Sequence, residues 1–212
     1  MRIVLFGPPG VGKGSQAQFL SERENVVHIS TGILLRRAIR SESELGLQAA
    51  AYVEQGKLVP GPLVRSLAEG AMADCNYDRF VLDGYPRTIE QADWLAEFLE
   101  SHHTRLNTVL SLVVSNQDIV DRLSKRRINR ITGENYHLDF KPPPADIEPG
   151  IIVQRNDDLP EAILHRLEIY QESTFPVQEY YRSLGLLKEI EGKGTFEEVY
   201  QRILTAIMNS LK

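Results

Sequence analysis

The stretch that decides the fold lies near the amino end and reads Gly7-Pro8-Pro9-Gly10-Val11-Gly12-Lys13-Gly14-Ser15. It follows an apolar run, residues 2–6, that predicts a short strand, and it precedes a pattern typical of a helix from about Ser15 to Arg23. Glycines let the backbone curl so that successive N–H groups point inward and form a nest for an anion. The positive end of the helix and the Lys13 ammonium strengthen the attraction. We therefore predict a phosphate-binding loop.

The spacing of this loop separates it from two related loops. Gly14 stands between Lys13 and Ser15, so the general GxxxxGK[ST] pattern is offset by one residue. A dinucleotide-binding loop would need GxGxxG and an acidic residue near the end of the second strand, and the sequence has neither. A chance glycine-rich turn is the remaining alternative, and the strand and helix on either side of the loop argue against it.

The rest of the chain alternates strand and helix signals. Short apolar runs predict four more strands, at residues 26–29, 79–83, 108–114 and 186–190. Runs of this kind are typical of parallel strands covered on both faces. Residues of shared helical faces lie between them, namely Leu63, Leu67 and Ala71, then Trp94 and Phe98, then Ile119 and Leu123. This pattern predicts a doubly wound α/β fold.

Two stretches depart from the alternation. Residues 30–59 show helical signals without a strand, which predicts a helical insertion. Residues 128–155 are rich in Pro, Gly, Asn and Asp, and a span of that length is typical of a lid or a linker. Because Tyr136, Phe140 and residues 151–153 could pack together, we predict a small ordered lid.

Composition restricts the class of function. The chain has 212 residues and a formal charge of 24 − 29 = −5, which argues against a nucleic-acid binder or a polybasic membrane-surface protein. Cys75 is the single cysteine, so an intrachain disulfide is excluded and a reducing compartment is favoured. The amino end shows no signal peptide, and no apolar run is long enough for a membrane span. We expect a cytoplasmic protein that binds small anions.

The loop motif Gly-x-Pro-Gly-x-Gly-Lys-Gly-Ser resembles adenylate kinases more than other P-loop proteins. Further motifs follow in the family's order: Thr31-Gly32 with Arg36, Gly56-Lys57-Leu58-Val59, Asp83-Gly84-Tyr85-Pro86-Arg87-Thr88 with Gln91, Asp121-Arg122 through Arg126-Arg127, and Arg155 through Asp157-Asp158 to Arg166. The resemblance implies a P-loop, doubly wound five-stranded parallel sheet. It also implies an AMP-binding insertion at residues 30–59 and a long-type lid at residues 125–158, with the core at residues 1–29, 60–124 and 159–212.

The resemblance implies phosphoryl transfer from MgATP to AMP and assigns roles to individual residues. The residues expected to be catalytic are Lys13, Arg87, Arg126, Arg155 and Arg166. Those expected at ATP are Gly10, Val11, Gly12, Lys13, Gly14, Ser15, Arg122, Arg126, Asn135, Tyr136 and Gly194. Those expected at AMP are Thr31, Arg36, Lys57, Leu58, Val59, Gly84, Tyr85, Pro86, Arg87, Gln91, Arg155 and Arg166. Forked guanidinium groups suit this task because they hold phosphate oxygens bidentately and keep their charge.

Mg²⁺ is expected with ATP, largely through water, near Asp83 and Ser15. Asp83 could instead cap the next turn. Likewise Thr31 could be only a helix N-cap, Gln91 only a surface residue, and His137 either a base-stacking or a packing residue.

The sequence also departs from the family pattern. Ile33 stands at a usually acidic position, and Pro60-Gly61-Pro62 replaces a more polar junction. Asn129 and Thr132 occupy the positions of the first cysteine pair of zinc-binding relatives, so no structural zinc is expected. A UMP/CMP kinase is the nearest alternative function, and an ATP-hydrolysing or nucleotide-gated module is the alternative from another class. We expect a monomer whose partners are ATP, AMP and ADP, without nucleic acid or membrane.

Overall fold

A central parallel sheet organises the chain in the computed structural model, which describes residues 1–55 and 57–210. The strands are β1 (Arg2–Phe6), β2 (Val27–Ser30), β3 (Phe80–Asp83), β4 (Thr108–Val113), β5 (Arg126–Asn129), β6 (Asn135–His137), β7 (Ile152–Val153) and β8 (Leu187–Glu191). Five of them form the parallel sheet in the order β2-β3-β1-β4-β8, and the other three form an antiparallel sheet in the order β6-β5-β7. Because β1 lies in the middle, the loop that follows it leaves the sheet at its centre.

Helices connect the parallel strands. They are α1 (Lys13–Glu24), α2 (Thr31–Arg40), α3 (Glu44–Glu54), α4 (Gly61–Asp74), α5 (Ile89–Ser101), α6 (Asn116–Ser124), α7 (Pro160–Ile169), α8 (Phe175–Ser183) and α9 (Phe196–Ser210). Local chemistry sets several of their starts. The side chains of Ser43, Thr88 and Ser115 accept the N–H groups of Gly46, Gln91 and Asp118, so α3, α5 and α6 begin on capping hydroxyls.

The core consists of two apolar layers, one on each face of the parallel sheet. One layer joins the sheet to α4, α5 and α8, with Phe80, Leu82 and Leu95 at its centre. The other joins the sheet to α1 and α9, with Ile3 and Leu110 at its centre. The alternate side chains of β1 and β4 therefore enter opposite layers, which explains why these inner strands are mostly apolar on both faces.

A buried polar network lies under one layer. Ser111 Oγ of β4 donates to Gln178 Oε1 of α8 at 2.7 Å, and Gln178 Nε2 donates to the Tyr170 hydroxyl. Tyr170 opens a π-helical turn, Tyr170–Thr174, that joins α7 to α8. Burial raises the pKa of Tyr170 to about 12, so the phenol stays protonated at neutral pH. The network fixes the wide turn against the sheet.

The α/β class and the five-stranded parallel sheet predicted from the sequence are confirmed, and residues 31–54 are largely helical. The predicted α4 face of Leu63, Leu67 and Ala71 packs against the core as partly buried residues, beside the fully buried Val64, Ala68 and Met72. The expected packing of Phe140 was wrong. Phe140 is 67 % exposed and does not join a packed cluster with Tyr136, because the short β5–β6 hairpin is too small to enclose it. Residues 128–155 also contain strands that the sequence did not predict.

No helix within the described residues is long and apolar enough to cross a membrane.

Candidate active site

The phosphate loop leaves β1 at the carboxyl edge of the parallel sheet and enters α1. Gly10 has a φ of +81°, and a Cβ atom at this position would lie 2.6 Å from Leu123 Cγ, so only glycine fits. Val11 N–H donates to the Pro8 carbonyl at 3.3 Å, which closes the turn. The curled backbone and the amino end of α1 therefore meet in the way that an anion site requires.

Lys13 lies over this loop. Its Nζ donates to the Gly7 carbonyl at 2.7 Å and to the Pro8 carbonyl at 3.0 Å. Burial lowers the pKa of Lys13 to about 8, while the negative charge of Asp83 opposes this shift. A phosphate group beside Nζ would favour the charged form, so anion binding and protonation of Lys13 are coupled.

Asp83 ends β3 beside the loop. Ser30 Oγ donates to its Oδ2 at 3.4 Å, and His28 Nε2 lies 3.5 Å from the same oxygen. Burial alone would raise the pKa of Asp83, but His28 and the charge of Lys13 outweigh burial and hold this pKa below its usual range. A Cβ atom on Gly14 would lie 3.6 Å from Oδ2, so the carboxylate faces the start of α1. Ser15 is exposed in the same first turn.

The loop after β3 links the predicted acceptor residues. Thr31 Oγ1 donates to the Gly84 carbonyl at 3.0 Å, and Arg87 Nε donates to the same oxygen at 2.9 Å. Gln91 Oε1 accepts the Arg87 N–H at 2.8 Å, and Gln91 is only 5 % exposed. The surface alternative for Gln91 is therefore wrong, and so is the N-cap alternative for Thr31, because Ser30 is the N-cap of α2. Tyr85 and Pro86 are buried beneath this loop.

Three predicted arginines converge on two aspartates. Arg126 Nε donates to Asp158 Oδ2 at 2.7 Å, and Arg155 Nε donates to Asp157 Oδ1 at 2.7 Å. Arg166 Nη1 reaches both acids, at 3.2 Å from Asp157 Oδ2 and 3.4 Å from Asp158 Oδ1. The two acids carry no role in the sequence-based prediction. Their position two and three residues after Arg155 was the signal that could have found them.

The cluster concentrates positive charge in a half-buried space. Burial lowers the pKa of Arg166 to about 10, and burial together with the charge of Arg155 lowers the pKa of Arg36 to about 9. Both guanidinium groups remain cationic at neutral pH. A cleft beside them is lined by Lys13, Gly84, Arg87, Arg166, Tyr170 and Thr174. Polyanions would relieve the repulsion among these cations.

Arg122 of α6 connects the phosphate loop to the segment after β8. Its Nη1 donates to the Val11 carbonyl and its Nη2 to the Gly192 carbonyl, both at 3.1 Å. A Cβ on Gly192 would lie 3.4 Å from Val11, so this buried glycine adjoins the loop. Gly194, which the resemblance assigns to ATP, lies two residues further on, is exposed and adjoins Glu198. Arg122 and Gly192 are far apart in sequence, so no local motif indicates their contact.

The antiparallel sheet carries the other residues expected at ATP. Asn135 is exposed and pairs with Ile128, whereas Tyr136 is buried and donates its hydroxyl proton to Glu134 Oε2 at 2.8 Å. His137 Nδ1 accepts the N–H groups of Asp139 and Phe140, and its ring lies 4.5 Å from the Phe140 ring. The half-buried His137 ring and the exposed Phe140 ring therefore lie side by side at the end of the hairpin.

The segment before α4 passes from the surface into the core. Lys57 is exposed, Leu58 is half-buried and Val59 is 7 % exposed. Gly56, which belongs to the same motif, lies outside the described residues.

Together, the strand–loop–helix unit at the centre of a parallel sheet and the convergent cations define a P-loop phosphotransferase fold. The family model of adenylate kinase matches residues 5–186. The chain is 53 % identical over 207 residues to the adenylate kinase of Salinibacter ruber, with 98 % of each chain covered. It is 45 % identical to that of Methanocella arvoryzae, with 98 % of each chain covered, and 39 % identical to that of Chloroherpeton thalassium over the whole of both chains. The chain belongs to the adenylate kinase family, which confirms the family and reaction class expected from the sequence.

Proposed function

We propose that this protein transfers the terminal phosphoryl group of MgATP to AMP, reversibly, and forms two molecules of ADP. The observation that carries the proposal is the arrangement of cations around one cleft. Lys13 of the phosphate loop, Arg87 of the loop after β3 and Arg166 of the arginine cluster all line that cleft. Two polyanions that repel each other need such an arrangement, and family membership supports the same reaction.

The reaction needs little proton chemistry. An oxygen of the AMP phosphate is already anionic at neutral pH, so it can attack the terminal phosphorus of ATP without a general base. The new P–O bond forms as the bond to the departing ADP breaks, and no proton is transferred. The task of the chain is therefore positioning and charge stabilisation. Lys13, Arg126, Arg155 and Arg166 carry the charges for this task.

The donor side is proposed to bind ATP through the loop residues 10–15 and through Arg122. Asn135, Tyr136 and Gly194 stay predictions from the resemblance. The exposed ring of Phe140, beside His137, is the further candidate for contact with the adenine, because an aromatic side chain can stack on the face of the base.

Mg²⁺ is proposed to accompany ATP near Asp83 and Ser15. Asp83 fits a hard cation because its carboxylate is held ionised and faces the first turn of α1, where Ser15 offers an exposed hydroxyl. The ion would supply charge neutralisation on the phosphates of the donor.

The acceptor side is proposed to bind AMP through Arg36 and Arg87 at the phosphate and through Gln91 at the base. Gln91 suits the base because its amide can donate and accept, and a carbonyl oxygen that already accepts one N–H retains a second lone pair. Thr31, the segment Lys57, Leu58 and Val59, and the buried Tyr85 and Pro86 complete the proposed pocket.

A coupled ADP-formation assay tests the acceptor. Purified protein is offered AMP, CMP, UMP and GMP separately with MgATP, and a fifth reaction contains no acceptor. Among the four acceptors, we expect rapid ADP formation only with AMP. Faster turnover with CMP or UMP would identify a UMP/CMP kinase, and rapid phosphate release without any acceptor would identify an ATP hydrolase.

Arg87→Ala tests the assignment of the two sides. Arg87 follows β3 on the proposed acceptor side, so its loss should weaken AMP binding while ATP binding stays near the wild-type value. Equilibrium titrations with each nucleotide measure this. An equal loss of ATP affinity would contradict the assignment.

We further propose that the protein acts as a monomer, and that it acts in the cytoplasm, because its single cysteine, which is half-buried, fits a reducing compartment. Sedimentation across a range of concentrations measures the first part of this proposal.

A further inference from the structure

Trp94 is the only tryptophan of the chain, and it lies where α4 and α5 begin to pack. A Cβ atom on Gly61 would lie 3.1 Å from Trp94 Cζ3 and 3.2 Å from Cη2. The indole ring is therefore packed against the backbone of Gly61, which is the first residue of α4. A larger residue at position 61 would push the ring or the helix aside.

The ring also contacts the next turn of α4. Arg65 Cζ lies 5.1 Å from the centre of the Trp94 ring, and Arg65 Nε donates to Glu69 Oε1 at 2.7 Å. Gly61 and Arg65 are four residues apart and so share one face of α4. Trp94 thus covers this face over a full turn, and the ion pair behind it holds the guanidinium in place.

The same contact involves the proposed base-binding residue. Gln91 lies one turn before Trp94 on α5, and its Nε2 would be 3.8 Å from a Cβ on Gly61. Val59, two residues before Gly61, is buried and belongs to the proposed acceptor pocket. Gly61, two residues after Val59, is therefore packed against the Trp94 ring and adjoins the Gln91 amide of the same helix α5.

We propose that Trp94 is a positioning residue for the acceptor nucleotide, because it fixes residues 59–61 against the turn of α5 that carries Gln91. The inference rests on the proposed function, since it concerns the acceptor pocket of that reaction. Trp94 contacts neither the phosphate loop nor the arginine cluster in the described contacts, so its influence should be confined to the acceptor. Its contribution is geometric, because the acceptor base must contact the segment before α4 and the Gln91 amide at the same time.

Steady-state kinetics of Trp94→Ala and Trp94→Phe, with AMP and ATP varied in turn, test the proposal. We expect Trp94→Ala to raise the KM for AMP about fivefold or more, with kcat and the KM for ATP within about twofold of wild type. Trp94→Phe should recover much of the AMP affinity, because it keeps a ring at the contact. A parallel rise in both KM values, or unchanged kinetics in Trp94→Ala, would overturn the proposal.

A glycine pair supplies a test that keeps the tryptophan. Gly61→Ala displaces the ring, whereas Gly70→Ala, on the same helix, adds a methyl group where no atom lies within 4 Å. We expect a raised KM for AMP in Gly61→Ala and unchanged kinetics in Gly70→Ala. Equal behaviour of the two variants would overturn the proposal. Failure of the proposed function is distinguishable, because wild-type protein would then form no ADP from AMP.

Discussion

At the residue scale, the acids beside the arginines are as informative as the arginines. The Asp158 side chain is fully buried, and it faces Arg126 and Arg166, whose side chains are 21 % and 19 % exposed. The two guanidinium groups would repel each other without it. Asp158 therefore holds the cations close together before any phosphate arrives.

Asp158→Asn should destabilise the protein. The substitution leaves the guanidinium cluster without its central charge, and breaking a buried pair costs about 3–5 kcal/mol. We expect about 3 kcal/mol, at the low end of this range, because both arginines retain some contact with water. Urea unfolding measures the change in free energy.

Asp139→Asn is the matched control for that measurement. Asp139 pairs with Lys125 at 2.6 Å, but both side chains are about half exposed, at 47 % and 48 %. An exposed pair of this kind contributes little to stability, because solvent screens the two charges. A similar loss in both variants would show that the buried position of Asp158 carries no special weight.

Lys13 should make ATP binding depend on pH. Its pKa in the free protein is lowered to about 8, so the ammonium is charged below that pH and largely neutral well above it. Binding of a phosphate favours the charged form, so ATP affinity should be flat from pH 7 to the pKa and fall above it, with proton uptake on binding. Calorimetry in buffers of different ionisation enthalpy measures the uptake.

Lys13→Met is the control for the pH dependence of ATP binding. It should also nearly abolish turnover, because loss of a positioned charge costs several kcal/mol of transition-state stabilisation. The same pH slope in Lys13→Met would show that another group is responsible. Activity above about a tenth of wild type, a loss of only about 1.4 kcal/mol, would exclude a central role for the lysine.

At the element scale, the parallel strands were predictable and the antiparallel ones were not. A strand such as β1 is apolar from Ile3 to Phe6 because both of its faces are buried, and that pattern is visible locally. β5 contains Arg126 and Arg127, and β7 is apolar but only two residues long, so neither shows an apolar run of strand length. Their order comes from pairing with each other, at register Ile128 to Val153, which no local window contains.

The same distinction applies to the site. The phosphate loop and the Asp83 to Arg87 segment were predictable because each is one continuous piece of chain. The Arg122 contact with Gly192 and the Trp94 contact with Gly61 join residues far apart in sequence, so only the packed structure reveals them.

The antiparallel sheet should be stable without a metal ion. Asn129 Oδ1 accepts the N–H groups of Ile131 and Thr132, at 2.9 and 3.1 Å, and so closes the turn between β5 and β6 by hydrogen bonds. Within residues 1–55 and 57–210, no three His, Cys, Asp or Glu side chains are grouped to hold a metal. We expect elemental analysis of protein purified without chelator to find no stoichiometric zinc. The melting temperature should also be unchanged by EDTA, since a metal clip would contribute folding energy.

Asn129→Ala is the informative variant beside the chelator. It should lower the melting temperature, because two N–H groups lose their acceptor. Bound zinc together with a melting temperature that falls on chelation would contradict this description of the turn.

At the scale of the whole molecule, the sheet order brings both proposed nucleotide sites to one edge. β1 and β3 are neighbours, with Leu5 opposite Asp83. The phosphate loop after β1 and the loop after β3 therefore leave the sheet side by side. The arginine cluster then lies over the edge between them. In the proposed complex, the phosphate groups of ATP and AMP would therefore face each other across one cleft.

A bisubstrate analogue should exploit that geometry. Two adenosines joined by five phosphates would occupy both sites and avoid part of the cost of a second association. We expect binding at least about 100-fold tighter than that of ATP. Calorimetric titration of each compound measures the difference, with adenosine tetraphosphate as the control for charge alone. An analogue that binds no tighter than ATP would mean that the sites do not face each other.

The buried network of Ser111, Gln178 and Tyr170 has a consequence for the history of the chain. Each of the three hydrogen-bonding side chains depends on another, so replacing one alone leaves a buried polar group unsatisfied, at a cost of about 1–3 kcal/mol. Replacing all three with apolar groups of similar shape can be nearly neutral. A stepwise mutational path from the polar trio to an apolar trio therefore passes through less stable intermediates. Descendants of this chain should keep the three residues together or exchange them together, and a combinatorial library at these positions should recover matched sets far more often than single changes.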